Sequence, residues 1–123
     1  MCIRDSIVVI DDSPTEVYVL QQMLERHGHE VSVANSGEEG IELVRKTRPD
    51  AVLMDVVMPG MNGFQATRTL NRDGETGDIP IIIVTTKDQQ TDRIWGMRQG
   101  AKEYLVKPVK EPDLIAVLKT VLG

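Results

Sequence analysis

The sequence predicts a doubly wound α/β domain, with five parallel strands flanked by five helices, and three observations carry that expectation. Short runs of β-branched and other apolar residues recur along the chain, continuous rather than alternating, as in strands buried on both faces. A helical pattern with its own start and stop signals separates each run from the next. The 123 residues are 41% apolar and 27% charged, which suits one folded domain with a core of its own. No repeat, linker or low-complexity stretch divides them.

The elements follow in order. Ile7–Ile10 reads as the first strand. Ser13-Pro14-Thr15-Glu16 is a capping-box pattern with proline at the first helical position. Val17, Leu20, Leu24 and His27 then fall on one face, and Gly28 supplies the stop. Glu30–Ala34 alternates polar and apolar residues, as an edge strand does. Ser36 to Glu39 repeats the capping pattern, Gly40, Ile41 and Val44 form a buried stripe, and Pro49 blocks continuation. Ala51–Met54 is the third strand, and Asn62 to Leu70 the third helix, leading into the polar loop Asn71–Asp78. Ile81–Val84 is followed by a helix from Asp88 to Gln99, closed by Gly100. Tyr104–Val106 and a last helix from Pro112 to Leu122 complete the pattern. Met23, Met54 and Met97 lie on buried patterns and are expected in the core. The last helix carries Leu114, Ile115, Val117, Leu118, Val121 and Leu122, a band wide enough for a core stripe or a partner-docking edge. Trp95 fits either reading as well.

Composition excludes several classes. The 14 Lys and Arg against 19 Asp and Glu leave a net charge of −5, without the basic face that duplex DNA requires. Four aromatic residues, Tyr18, Phe64, Trp95 and Tyr104, make no stacking platform for single strands. Direct nucleic-acid binding is therefore not expected. Cys2 is the single cysteine, so neither a disulfide framework nor a cysteine metal site is available. The apolar runs are too short to span a bilayer and no signal-peptide core precedes the first strand, so a cytoplasmic protein without membrane insertion is expected. His27 and His29 stand apart from other ligand types.

In a doubly wound sheet, ligands bind beyond the carboxyl ends of the strands. Asp11 and Asp12 follow strand one, Asp55 follows strand three, Thr85 and Thr86 follow strand four, and Lys107 follows strand five. With strand order 2-1-3-4-5, strands one and three are neighbours and three carboxylates converge on one pocket. Unpaired they repel, and a hard divalent cation such as Mg²⁺ relieves the repulsion. Asp55 then suits a nucleophile that forms an aspartyl phosphate, with Lys107 and the Thr85 hydroxyl placed against phosphoryl oxygens. Taken singly these residues are ordinary: aspartates at strand ends cap helices and shape turns, threonine does the same, and lysine is a solvated charge. Their joint placement is what points to phosphoryl chemistry.

At these residues the chain resembles the receiver domains of two-component response regulators, of the CheY-like kind. Asp11-Asp12, Leu53-Met54-Asp55-Val56-Val57-Met58-Pro59-Gly60, Asn62-Gly63, Thr85 after Ile81–Val84, Gly100-Ala101 and Tyr104-Leu105-Val106-Lys107-Pro108 carry the likeness, from Ile7 to Leu122. Asp12-Ser13-Pro14-Thr15-Glu16, Gly63-Phe64-Gln65-Ala66-Thr67-Arg68 and Val84-Thr85-Thr86-Lys87-Asp88-Gln89 are most similar to the PilH-type regulators of twitching motility. The resemblance implies that Asp55 is the phosphoacceptor, charged by a histidine kinase. It implies that Asp12, Asp55 and the backbone carbonyl of Val57 hold Mg²⁺, with Asp11 acting through water. It pairs Lys107 with the phosphoryl group, places a cis peptide before Pro108, and makes Thr85 and Tyr104 a switch pair. That pair biases the face of helix four, strand five and helix five toward a downstream protein partner.

The implied protein is a stand-alone switch and not an enzyme, beyond turning over its own acyl phosphate. No effector is expected after the fifth helix, so the receiver either acts on a partner, drains phosphoryl groups from a shared kinase, or serves as a scaffold without phosphate. A flavodoxin-like electron carrier fits poorly, because the acidic first loop repels a phosphate. A phosphohydrolase acting on outside substrates lacks a cap insertion. Val57 and Lys87, each two residues beyond a pocket residue, border the path of the water that hydrolyses an acyl phosphate. Residues 1–5 look foreign to such a domain, which is expected to occupy 6–123.

Overall fold

A computed structural model describes residues 5–122. The chain alternates strand and helix: β1 (Ser6–Ile10), α1 (Pro14–Arg26), β2 (Glu30–Ala34), α2 (Gly37–Thr47), β3 (Ala51–Met54), α3 (Gly63–Arg72), β4 (Ile81–Thr85), α4 (Gln90–Arg98), β5 (Glu103–Val106) and α5 (Glu111–Leu122). All strand pairs are parallel, in the order β2-β1-β3-β4-β5, as the sequence predicts. Of the expected N-terminal extension, residues 1–4 lie outside the described residues. The carbonyl of Asp5 accepts a hydrogen bond from the Glu30 amide at 3.0 Å, one step beyond the β1–β2 ladder.

Successive strand residues point to opposite faces, so the continuous apolar runs build two cores. Ile7, Val9, Leu53, Ile82 and Val84 pack against Leu20 and Leu24 of α1 and Leu114 and Leu118 of α5. Val8, Ile10, Val52, Met54 and Ile81 pack against Ile41 and Val44 of α2 and Ala66 and Leu70 of α3. A third cluster of Val56, Ile83, Ala101 and Tyr104 lies beneath α4. Gly40 lets α2 seat closely on the sheet, since a Cβ there would lie 2.4 Å from Ile10 Cδ1. Among the described residues no helix is long and apolar enough to cross a membrane.

Several expectations change in detail. β4 runs one residue further, so Thr85 is the last strand residue, in register with Val106. α4 begins at Gln90 rather than Asp88, with Gln89 at the N-cap and no side-chain capping bond to anchor an earlier turn. His27 does not join the buried face of α1; it is the C-cap, already off the helix, and its ring reaches Glu111 of α5 at 2.9 Å. Met97 is not core but 43% exposed, because α4 touches the sheet through Gly96, its one buried residue. Trp95, beside it, is 49% exposed. The apolar band of α5 resolves toward a core stripe: Leu114 and Leu118 are buried, and Ile115, Val117, Val121 and Leu122 pack half-buried on the same cluster.

Both serine caps receive the expected amide, Glu16 N–H to Ser13 Oγ and Glu39 N–H to Ser36 Oγ. The glutamates do not return the bond. Ser13 N–H donates to Asp11 instead, and Glu39 accepts from Asn35 N–H. A reciprocal capping box forms at Asn62 and Gln65, at the start of α3.

Candidate functional site

The carboxyl ends of β1, β3, β4 and β5 bring Asp11, Asp12, Asp55, Thr85 and Lys107 to one end of the sheet. β1 and β3 are adjacent, with Ile10 opposite Met54, so the acids that follow them meet. One carboxylate oxygen from each of Asp11, Asp12 and Asp55 lies within 4.8 Å of the others. Asp11 and Asp55 are buried, whereas Asp12 faces solvent.

Lys107 enters this group from β5. Its ammonium sits 2.7 Å from Asp11 Oδ2 and 3.4 Å from Asp55 Oδ2, with Glu16 further out at 3.9 Å. The peptide that follows it, Lys107–Pro108, is cis. Asp11 is therefore fully engaged: Oδ2 takes the lysine, and Oδ1 accepts from Ser13 N–H at 2.9 Å. Asp55 Oδ1 accepts from the Val57 amide at 3.3 Å, leaving that carboxylate less tightly held. The Val57 side chain is 54% exposed at the rim.

Electrostatics follow from this packing. Burial pushes the Asp55 carboxyl above the usual aspartate range; the Lys107 charge opposes that shift and the Asp11 charge adds to it. Burial works against the Lys107 ammonium, but its hydrogen bond to Asp11 and the charges of Asp55, Asp11 and Glu16 hold its pKa above the ordinary lysine value. Three carboxylates against one ammonium leave excess negative charge on hard oxygen donors. That set suits a divalent cation that favours oxygen, with Asp12 open to water.

Thr85, fully buried, links this group to Tyr104 through a single intervening residue. Lys87 N–H donates to Thr85 Oγ1 at 3.4 Å, and the Lys87 carbonyl accepts from the Tyr104 hydroxyl at 2.8 Å. The Lys87 side chain is exposed. The structure thus brings Asp11, Asp12, Asp55 and Lys107 together, with Thr85 at the end of the neighbouring strand β4 and Tyr104 one hydrogen-bonded step behind it.

Two contributors were not assigned a role from sequence. Gly63, the first residue of α3, sits where a Cβ would lie 2.0 Å from the Asp55 carbonyl oxygen, and its amide donates to Val56 O at 3.0 Å. Only glycine lets the β3–α3 loop fold back this tightly over the acid, and Asn62-Gly63 at a helix start was the available signal. Arg93 of α4 packs on Tyr104 across a separation of 11 residues, which no local pattern announces.

Comparisons with known proteins agree with this geometry. Residues 7–119 match the family described as the response regulator receiver domain. Protein PilH of Pseudomonas aeruginosa is 60% identical over 117 residues, which cover 95% of this chain and 97% of that protein. The chemotaxis protein CheY4 of Vibrio cholerae superposes with a TM-score of 0.91 at 29% identity, over 97% of this chain and 99% of that one. The receiver domain of a sensor histidine kinase from Pseudomonas aeruginosa PAO1, solved with a magnesium ion coordinated in its active-site cleft, superposes with a TM-score of 0.91. Its identity is 30%, over 98% of each chain.

Proposed function

The chain belongs to the response regulator receiver domain family of two-component systems, and we propose that it is a phosphorylation-controlled binding switch with Asp55 as phosphoacceptor. The observation that carries this reading is the position of Lys107, whose ammonium lies within reach of both Asp11 and Asp55 in a pocket whose other charged groups are carboxylates. A histidine kinase donates the phosphoryl group: a P–N bond to imidazole breaks and a P–O bond to an Asp55 carboxylate oxygen forms. Asp55 serves as nucleophile in its ionised form.

Asp12, Asp55 and the Val57 carbonyl would hold Mg²⁺, with Asp11 contributing through water, and the ion would supply positive charge beside the phosphoryl oxygens. The magnesium in the related kinase receiver supports this assignment. Asp11 keeps Lys107 aimed into the pocket, where its charge stabilises the phosphoryl oxygens opposite. Phosphorylation adds roughly two negative charges at Asp55. The Thr85 hydroxyl is drawn to them, and the Lys87 peptide bonded to it carries the displacement to Tyr104. The face of α4, β5 and α5 is thereby biased between two states for a protein partner. Likeness to PilH along nearly the whole chain supports a role in chemotaxis-like control of type IV pilus twitching motility. The protein acts in the cytoplasm as a switch rather than on an outside substrate.

Intact-mass spectrometry after incubation with Mg²⁺ and acetyl phosphate tests the reading, with Asp55→Asn beside the wild type. One added phosphoryl group that disappears in the variant and with chelator is the expected result. An unmodified wild type, or equal labelling of Asp55→Asn, would overturn it.

A further inference from the structure

Tyr104 lies in a slot that α4 builds around it. The floor is Gly96: a Cβ at that position would meet Ile83 Cδ1 at 2.8 Å and Tyr104 Cδ2 at 3.1 Å, so even a methyl group there would make Ile83 and the ring give way. Three residues earlier on the same helix face, the guanidinium carbon of Arg93 stands 5.2 Å from the Tyr104 ring centroid. Arg93 Nη1 also donates to the backbone carbonyl of Tyr104 itself at 3.1 Å. The phenol hydroxyl is tied separately, to Lys87 O at 2.8 Å.

Arg93 is an exposed side chain, yet it makes two different contacts with one residue. The backbone bond fixes the guanidinium to β5, and the fixed guanidinium covers the ring. We propose that Arg93 is a positioning residue that latches Tyr104 in its buried orientation. A planar cation suits this arrangement because it presents a face to the ring and an edge donor to the carbonyl together, which an ammonium does not. The hydrogen bond to the β5 carbonyl does not require the ring, so Arg93 remains in place to recapture Tyr104 after it swings out. The functional consequence rests on the reading of Tyr104 as the switch residue. The latch itself is a property of the unphosphorylated chain.

Tyr104 is well placed for a direct test, since it shares the chain with one other tyrosine, Tyr18, which is 64% exposed. NMR of ring-labelled tyrosine would follow the Tyr104 resonances in the unphosphorylated wild type, Arg93→Ala, Arg93→Lys and Arg93→Gln. The alanine variant is expected to raise the outward population of the ring about two- to fivefold, the range of an exposed cation–π contact. The lysine variant, retaining charge without the planar face, should fall between. The same spectra report phenol titration: burial and the charges of Asp92, Asp88 and Asp55 raise the Tyr104 pKa while Arg93 opposes them, so Arg93→Ala and Arg93→Gln should both raise it further. Tyr104 ring shifts and titration unmoved in Arg93→Ala would overturn the latch. Phosphoryl uptake by each variant, read by intact mass, keeps the two readings separate. Failure of Asp55 to take up phosphate in the wild type sinks the switch assignment, while the ring populations still decide the latch.

Discussion

Asparagine at position 55 should make the metal-free protein more stable, although it removes the proposed phosphoacceptor. Carboxylate oxygens of Asp11, Asp12 and Asp55 lie within 4.8 Å of one another. At an effective dielectric constant of about 20, each repulsion that Asp55 feels is about 3.5 kcal/mol or more. Its attraction to Lys107, at 3.4 Å, is about 5 kcal/mol on the same scale. Two repulsions thus exceed one attraction by about 2 kcal/mol, and the lost hydration of a buried carboxylate acts in the same direction. The raised pKa of Asp55 has the same cause. Asp55→Asn in chelator should therefore gain about 2 kcal/mol, moving the urea midpoint upward by roughly 1 M.

The pH dependence has a definite sign. A carboxyl whose folded pKa is raised contributes most below its unfolded value, and that contribution is lost as pH rises through the folded value. Wild type should fall behind Asp55→Asn across this window, from the ordinary aspartate range upward. Saturating Mg²⁺ should close the gap, because a ligand that binds the native state stabilises it in proportion to the logarithm of its concentration over Kd. Urea titrations with and without Mg²⁺ decide the matter. A variant no more stable than wild type in chelator, or a gap that Mg²⁺ leaves unchanged, would refute this electrostatic account.

Three further substitutions test other parts of the structure. Thr67 of α3 is fully buried and its hydroxyl has no hydrogen-bond partner among the described residues, so Thr67→Val should stabilise by about 1 kcal/mol; a melting temperature about 3–5 °C higher checks it, and a lower one would mean the hydroxyl is satisfied. Val57 and Lys87 are exposed two residues beyond Asp55 and Thr85, on the expected path of an attacking water, and Val57→Asn and Lys87→Glu each place a polar acceptor there. Both should shorten the lifetime of phospho-Asp55 several-fold, read from the decay of the phosphorylated mass after donor removal, and unchanged decay in both would remove these residues from the hydrolysis path.

Much of the fold was legible because a parallel sheet between two helical layers requires its strands to be apolar on both faces. Ile7–Ile10, Ala51–Met54 and Ile81–Val84 could hardly be anything else, and β2 announced itself as an edge strand by alternating. The errors fall where packing rather than pattern decides. His27 continues the periodicity of α1 on paper, but the helix ends at Arg26 and an acid on α5 claims its ring. Met97 follows the helical spacing of α4, yet that helix is narrowed to Gly96 by the Tyr104 ring beneath it. The pocket acids and Lys107 were legible from their places after strands one, three and five, since parallel register delivers strand ends to one edge. The hold of Arg93 on Tyr104 was not, because it depends on how α4 lies across β5.

On the proposed switch reading, a short hydrogen-bonded route from the pocket to the surface connects a local charge to Tyr104. Lys107 lies 2.7 Å from Asp11 but 3.4 Å from Asp55, so the lysine is already anchored before Asp55 changes charge. Thr85 is differently placed. Its hydroxyl accepts the long 3.4 Å bond from Lys87 N–H, while the carbonyl of the same residue holds the Tyr104 hydroxyl. If the threonine turns toward new phosphoryl oxygens, the Lys87 amide loses its acceptor and the peptide that anchors Tyr104 is freed at one end. Tyr104 then keeps its hydrogen bond to a looser Lys87 carbonyl and its packing on Ile83, Gly96 and Arg93, so part of the energy needed to move it is set on α4. Variation at Arg93 should therefore tune the switch without touching the phosphoryl chemistry.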